Sequence, residues 1–288
     1  MMKKNYLEDI LNCLPSISKQ HGRGTKIFEL FEALSINSTA SSNLKDPIEG
    51  KIDFGSFGEL KFPYYKMGAI DTLDLFGLDE LIIFSFYNIN KNRYRKSADI
   101  GANLGLHSVL MSKCGWQVES YEPDPVHASL LRRNLALNNV ESNVTINEKA
   151  ISDKEGTLEF LRVVGNTTGS HLAGAKSKPY GEIDRFTVNV ASIASIMGNV
   201  DFIKMDVEGQ EKQIITSTTK EHWKETDMMV EIGTSENADA IFEHLARLSI
   251  NAFSQKTGWA MVKSKDEMPN SHREGSLFIS VKDEMPWG

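Results

Sequence analysis

The spacing of apolar positions changes near residue 97. Before it, Leu7, Ile10, Leu11 and Leu14 fall on one helical face, and Ile27, Leu30, Phe31 and Leu34 on another after the breaker HGRGT, so two short helices are predicted. Residues 37–46, NSTASSNLKD, are polar and aperiodic, which predicts a linker. The boundary placed there divides a helical extension, 1–50, from a main domain, 51–288. GELKFPYY predicts a hairpin with Pro63 at its edge, and TLDLFGLDELIIFSFYN a helix leading to the first core strand.

From Ser97 onward, the short apolar runs SADI, QVESY, NVTIN, VDFIKM, DMMVEI and SLFISV are separated mostly by segments of helical period. That alternation predicts an α/β fold with a largely parallel sheet covered on both faces. After YEPDP, Asp124 suits an N-cap, Pro125 the first helical position, and Val126, Leu130, Leu131 and Leu135 the buried face. Residues 250–281 predict two strands joined by the polar loop KSKDEMPNSHREG, so the sheet closes with an antiparallel strand. The pentamer KDEMP occurs twice, in different contexts, and makes no repeat architecture.

Composition narrows the function classes. An apolar content of 40% and a charged content of 25% are globular values. The net charge of −7 disfavours a protein that holds a phosphate backbone by bulk electrostatics, so no nucleic-acid partner is expected. Cys13 and Cys114 lie far apart without metal-ligand spacing, as free thiols of a reducing compartment do. Glu8 and Asp9 interrupt any apolar run behind the first lysines, and no run approaches the length of a membrane span, so a cytoplasmic protein without a membrane partner is expected.

The candidate chemistry centres on SADIGANLGLHS, residues 97–108, a strand, glycine turn and helix start. A dinucleotide loop needs glycine at the second position of G-x-G-x-x-G so that backbone approaches a pyrophosphate. Here that position is Asn103, between Gly101 and Gly105, and Asp99 stands two residues before the turn. A carboxylate there repels a pyrophosphate and attracts an ammonium or sulfonium. S-adenosylmethionine carries both cations and no phosphate. Glu122 follows Gly101 by 21 residues and ends the next strand, where an acidic side chain reaches ribose hydroxyls. Asp153, in AISDKEG, is placed to accept from an adenine amino group or is an ordinary turn aspartate.

In order and spacing, DIGANLGLHS, YEPDP, LLRRNLALNNV, AISDKEGTLEF and FIKMDVEGQE resemble the FkbM-type family of S-adenosylmethionine-dependent methyltransferases, over roughly residues 95–250. The resemblance implies a Rossmann-like class I methyltransferase sheet of seven strands with the last antiparallel, here behind a mainly helical N-terminal extension. It also implies O-methyl transfer onto hydroxyls of sugars, glycans, polyketides or related small molecules. Carried onto matching positions, it assigns the methionine end to Asp99, Gly101, Asn103 and Gly105, the ribose to Glu122, the adenine to Asp153, and the neighbourhood of the methyl group to Asp206.

Removing the acceptor's proton calls for a base. Asp206 is one candidate, with orientation of cofactor or substrate as its alternative role. His171 is the second; it lies in GNTTGSHLAGAKSKPYGE, a segment long enough for a lid or substrate loop, at a place where the resembling family often carries serines. His107 suits either contact with the ligands or packing in a first helical turn. Glu208 either faces the site or complements a helix dipole, and Glu231 is placed to line the acceptor pocket. No metal is expected of these carboxylates. Acceptor specificity is expected in residues 165–182 and the N-terminal helices, and a homo-oligomer is left open. The competing classes are a noncatalytic binding or assembly module, a nucleic-acid methyltransferase, against which stands the lack of an NPPY-like tetrad, and a nicotinamide dehydrogenase, against which stands Asn103.

Overall fold

The computed structural model describes residues 6–68, 70–163, 166–172 and 182–287. Helix α1 (Leu7–Cys13) and α2 (Lys26–Ser41) are followed by two small antiparallel ribbons, β1 (Lys51–Asp53) with β2 (Glu59–Lys61) and β3 (Lys66–Met67) with β4 (Ile70–Asp71), and then by α3 (Leu78–Ile89). The core comprises β5 (Lys96–Ile100), α4 (Leu106–Lys113), β6 (Gln117–Tyr121), α5 (Pro125–Leu137) and β7 (Val144–Asn147). A side sheet follows: β8 (Lys149–Ser152), β9 (Gly156–Val163), β10 (Asn166–Leu172) and β11 (Ile183–Ser192). The chain returns to the core through β12 (Phe202–Met205), α6 (Glu211–Thr216), β13 (Asp227–Glu231), α7 (Ser235–Leu248), β14 (Asn251–Ser254), β15 (Ala260–Met261) and β16 (Ser276–Ser280).

The main sheet runs β15-β14-β16-β13-β12-β5-β6-β7. β7, β6, β5, β12 and β13 pair in parallel, and β16 inserts antiparallel between β13 and β14. Seven of these strands form the class I methyltransferase sheet implied by the sequence; β15 is a two-residue addition at the edge. Central strands are apolar on both faces because helices cover both. On one face, Phe86, Tyr94, Trp116, Phe202 and Phe278 stack against one another beneath α3 and α4. On the other, Ile203, Met205, Met228 and Val230 meet Ile214, Ile215 and Ile241 of α6 and α7. Each such side chain contributes about 1.5–3 kcal/mol by leaving water.

Several expectations are corrected. The linker expected over 37–46 begins inside α2, because Thr39 and Ser41 donate back to the carbonyls of Ser35 and Asn37 at 3.0 and 2.9 Å, satisfying their hydroxyls on the helix. α2 buries Phe28, Ser35, Ser38 and Thr39, whereas Leu30 is exposed. Asp124 does cap α5, accepting from the Val126 N–H at 2.8 Å, but Val126 is exposed and the buried face is His127, Ala128, Leu131, Asn134 and Leu135. The Asn134 amide donates to the Leu104 carbonyl at 2.8 Å, which lets a polar side chain occupy that face. Residues 166–172 form a strand paired with β9. The rest of the expected specificity segment, 165 and 173–181, lies outside the described residues.

Candidate active site

The site lies beyond the carboxyl ends of the parallel strands, where open α/β sheets bind ligands. After β5 the backbone enters the left-handed region at Gly101 (φ +79°), Asn103 (φ 49°) and Gly105 (φ +84°). A Cβ at 101 would stand 1.8 Å from the Asp206 carbonyl oxygen, so only glycine lets the loop after β5 meet the loop after β12. The turn aims the Asn103 N–H at Glu122 Oε2, 2.8 Å away, while Glu122 Oε1 accepts from the Asp124 N–H at 2.9 Å and faces His127 Nδ1 at 3.5 Å. Glu122 is thereby fixed at the cavity edge with acceptor capacity left on both oxygens. Asp99 is buried beneath the turn and accepts from Ser108 Oγ at 2.5 Å. Burial pushes its carboxyl up, against the opposing pull of His107, Ser108 and Lys204.

Beyond β12 and β13 the charges are denser. Lys204, inside β12, is buried; burial pulls its ammonium down, but Asp206, Glu80, Glu231 and Asp99 outweigh that and hold it above its ordinary value. His107 presents Nδ1 to the Tyr87 hydroxyl at 2.9 Å and Nε2 to Glu80 Oε2 at 3.1 Å. Burial raises Glu80, yet His107 and Lys204 together bring it below the usual glutamate value. Glu231, at the end of β13, is raised by burial and then by Asp206. His272 reaches in from the loop before β16, its Nδ1 2.9 Å from Glu231 Oε1, and this bond with the nearby carboxylates pushes the imidazole up to about 9. Its ring lies where a side chain on Gly233 would need to be, a Cβ there falling 2.7 Å from its Cε1.

These groups share one cavity of about 510 Å³, in the range of small-ligand sites. Tyr121 and Pro123 line it from the β6 side, and Ala150, Ile151, Phe160 and Leu172 from the side sheet. Asp99, Gly101, Asn103, Gly105, His107, Glu122, His171, Asp206, Glu208 and Glu231 all line this cavity. His171 is buried on β10. Asp153 is not among the lining residues; it accepts from Gln213 Nε2 at 2.8 Å and Ser152 Oγ at 3.1 Å, and the Gln213 bond holds its carboxyl low. Sequence reasoning missed Glu80, Lys204 and His272. Lys204 had a signal, a charged residue inside the apolar run VDFIKM; His272 had none in its polar neighbourhood. Among the described residues, no three His, Cys, Asp or Glu side chains are arranged to hold a metal ion.

Comparison with known proteins identifies the lineage of this arrangement. Residues 99–253, more than half of the chain, match the family model described as the methyltransferase FkbM domain. Methyltransferase sdnD of Sordaria araneosa is 29% identical over 160 residues, 44% of this chain and 61% of that protein. Methyltransferase 1 of Beauveria bassiana is 25% identical over 154 residues, 46% of this chain and 61% of that one. The chain thus spans about three fifths of the length of the curated relatives it matches. Among solved structures, methyltransferase FkbM from Methylobacillus flagellatus aligns over 96% of this chain and 61% of its own, with 12% identity and a TM-score of 0.38. An O-methyltransferase from Bacillus cereus in complex with SAH aligns over 69% and 80%, with 12% identity and a TM-score of 0.38. The matched stretch begins at Asp99, passes through the glycine turn and Glu122, and takes in Lys204, Asp206 and Glu231, so the chain belongs to the FkbM methyltransferase family.

Proposed function

We propose that the cavity binds S-adenosylmethionine and that the protein methylates a hydroxyl oxygen of a sugar, glycan, polyketide or related small molecule. The observation that carries this reading is the glycine turn closed onto Glu122: Gly101 abuts the Asp206 backbone, and the Asn103 N–H fixes a carboxylate able to accept from a ribose diol. The donor set fits the group. Asp99 beneath the turn favours a cationic group at the methionine end, no glycine stands where a pyrophosphate would need one, and Tyr121, Pro123 and Phe160 offer apolar surface to a base.

Bound there, S-adenosylmethionine supplies a methyl carbon, and the electron pair of the breaking C–S bond stays on sulfur. The chain's residues do the rest. Strand order sets the axis of the site: Glu122 on the β6 side takes the nucleoside, and Asp206, Glu231 and His272 on the β12 and β13 side take the acceptor. Asp206 accepts the acceptor's hydroxyl proton as its oxygen bonds to the methyl carbon. Holding the oxygen in line contributes up to about 7–11 kcal/mol in the most favourable intramolecular cases.

Two measurements test the proposal: calorimetry with S-adenosylhomocysteine, and mass spectrometry for a gained methyl group across sugars, polyols and polyketide alcohols incubated with S-adenosylmethionine. Micromolar binding and a methyl ether are expected. Absence of any binding ends the cofactor assignment; binding without transfer to any hydroxyl supports a noncatalytic module.

A further inference from the structure

Lys204 stands out because a single ammonium is set among four carboxylates at the cavity wall. The residue is 3% exposed and lines the cavity, yet among the described residues no direct hydrogen bond or ion pair engages its Nζ. Attraction to those carboxylates holds its charge, which leaves its N–H donors for a partner in the cavity. Its position on the sheet says where that partner arrives. Lys204 pairs with Asp99 across β5 and with Met229 across β13, and it lies two residues before Asp206, on the same face of the chain. The ammonium therefore interacts with both the side chain assigned to the methionine end and the side chain assigned to proton removal.

We propose that Lys204 is the donor for the acceptor oxygen: its ammonium holds the hydroxyl whose proton Asp206 removes, so the site takes oxygen acceptors and rejects those that arrive as ammonium ions. This deepens the methyltransferase reading and rests on it. An alcohol oxygen accepts from Lys204 with a lone pair while donating its proton to Asp206; an ammonium has no lone pair and meets a like charge. The four surrounding carboxylates keep the lysine protonated, which suits a donor and excludes a base.

The test uses the full chain and needs no identified acceptor. S-adenosylhomocysteine has nothing at the methyl position, whereas sinefungin carries an amino group there, an ammonium at neutral pH, and both share the nucleoside and the amino-acid carboxylate. Calorimetry is run on the wild type, Lys204→Met, Lys204→Gln and Lys204→Arg. The Met and Gln variants are expected to lower the ratio of sinefungin Kd to S-adenosylhomocysteine Kd at least about tenfold, with the S-adenosylhomocysteine Kd itself moving less than about threefold, while Arg keeps the wild-type ratio. If the Met variant does not fold, the Gln and Arg pair decides. A ratio unchanged within about twofold overturns the proposal. So does parallel weakening of both ligands, which assigns Lys204 to their shared carboxylate or to packing. A wild type that binds neither ligand removes the cofactor reading itself, and the Lys204 assignment with it.

Discussion

At the scale of single residues, the glycine turn divides labour with the loop after β12. Asp206 gives its carbonyl to the close contact with Gly101 and its carboxylate to the cavity. Asp206→Asn removes the proposed proton acceptor while keeping size and backbone. It is expected to lower kcat about 10²- to 10⁴-fold and leave S-adenosylhomocysteine affinity within about threefold, as read by single-turnover kinetics and calorimetry. An unchanged kcat would move the base elsewhere, with His171 the next residue to substitute. This part of the site was legible because Asp99, Gly101, Asn103, Gly105 and Glu122 lie in two short stretches whose local geometry dictates their types. Glu80 and His272 were not: they reach the cavity from α3 and from the loop before β16, and only the register of the sheet brings them together.

His272 also makes a pH prediction. Its folded pKa, about 9, lies above the ordinary 6.5, so its contribution to stability is fully present below pH 6.5 and is lost as pH rises through 9. The side chain is 56% exposed, so solvent screening limits the effect. The wild type is expected to melt about 1–3 °C above His272→Gln at pH 6.5 and level with it at pH 10, by calorimetric scans. An advantage independent of pH would show that the ring acts only by packing on Gly233.

Among elements, one ion pair ties the side sheet to the turn after β6. Arg162 on β9 grips the Asp124 carboxylate with two bonds of 2.6 Å, and Asp124 caps α5 two residues after Glu122. The Asp124 side chain is fully buried, so breaking the pair leaves a carboxylate without its cation. Arg162→Met is expected to destabilise the fold by about 3 kcal/mol and to weaken S-adenosylhomocysteine binding, because Phe160 and the rest of that wall lose their anchor. Denaturant unfolding and calorimetry measure the two effects separately. The cap was readable from Asp-Pro alone. The buried face of α5 was not, since Asn134 and Asn138 point inward with their amides hydrogen bonded and His127 faces the carboxylates of Glu122 and Asp124, and an apolar pattern counts such residues as outward. The same blindness turned the serine-rich end of α2 into an expected linker.

Across the whole molecule, the first helices are part of the core. Leu7, Ile10, Leu11 and Leu14 are buried beside α3, and Ser85 donates to the Leu11 carbonyl at 2.9 Å. His21 is clasped farther on: it accepts from Trp259 Nε1 at 2.9 Å, stacks edge-on with Trp287 at 4.9 Å between centroids, and burial lowers its pKa to about 4. We therefore expect removal of residues 1–20 to lower the melting temperature by more than about 10 °C or to cause aggregation on size-exclusion chromatography, since four buried aliphatic side chains contribute about 1.5–3 kcal/mol each. A truncated chain that melts normally would make this segment an appendage.

The insertion of β16 between β13 and β14 has a consequence for synthesis. β5, β6, β7, β12 and β13 can pair in the order in which they leave the ribosome, but β14 has no place in the sheet until residues 276–280 arrive to bridge it. For the interval of translation between them, on the order of one to five seconds, β13 presents an unpaired edge beside the half-built cavity. A chain truncated between 255 and 275 should therefore show its glycine turn already formed and a sheet edge open to chaperones.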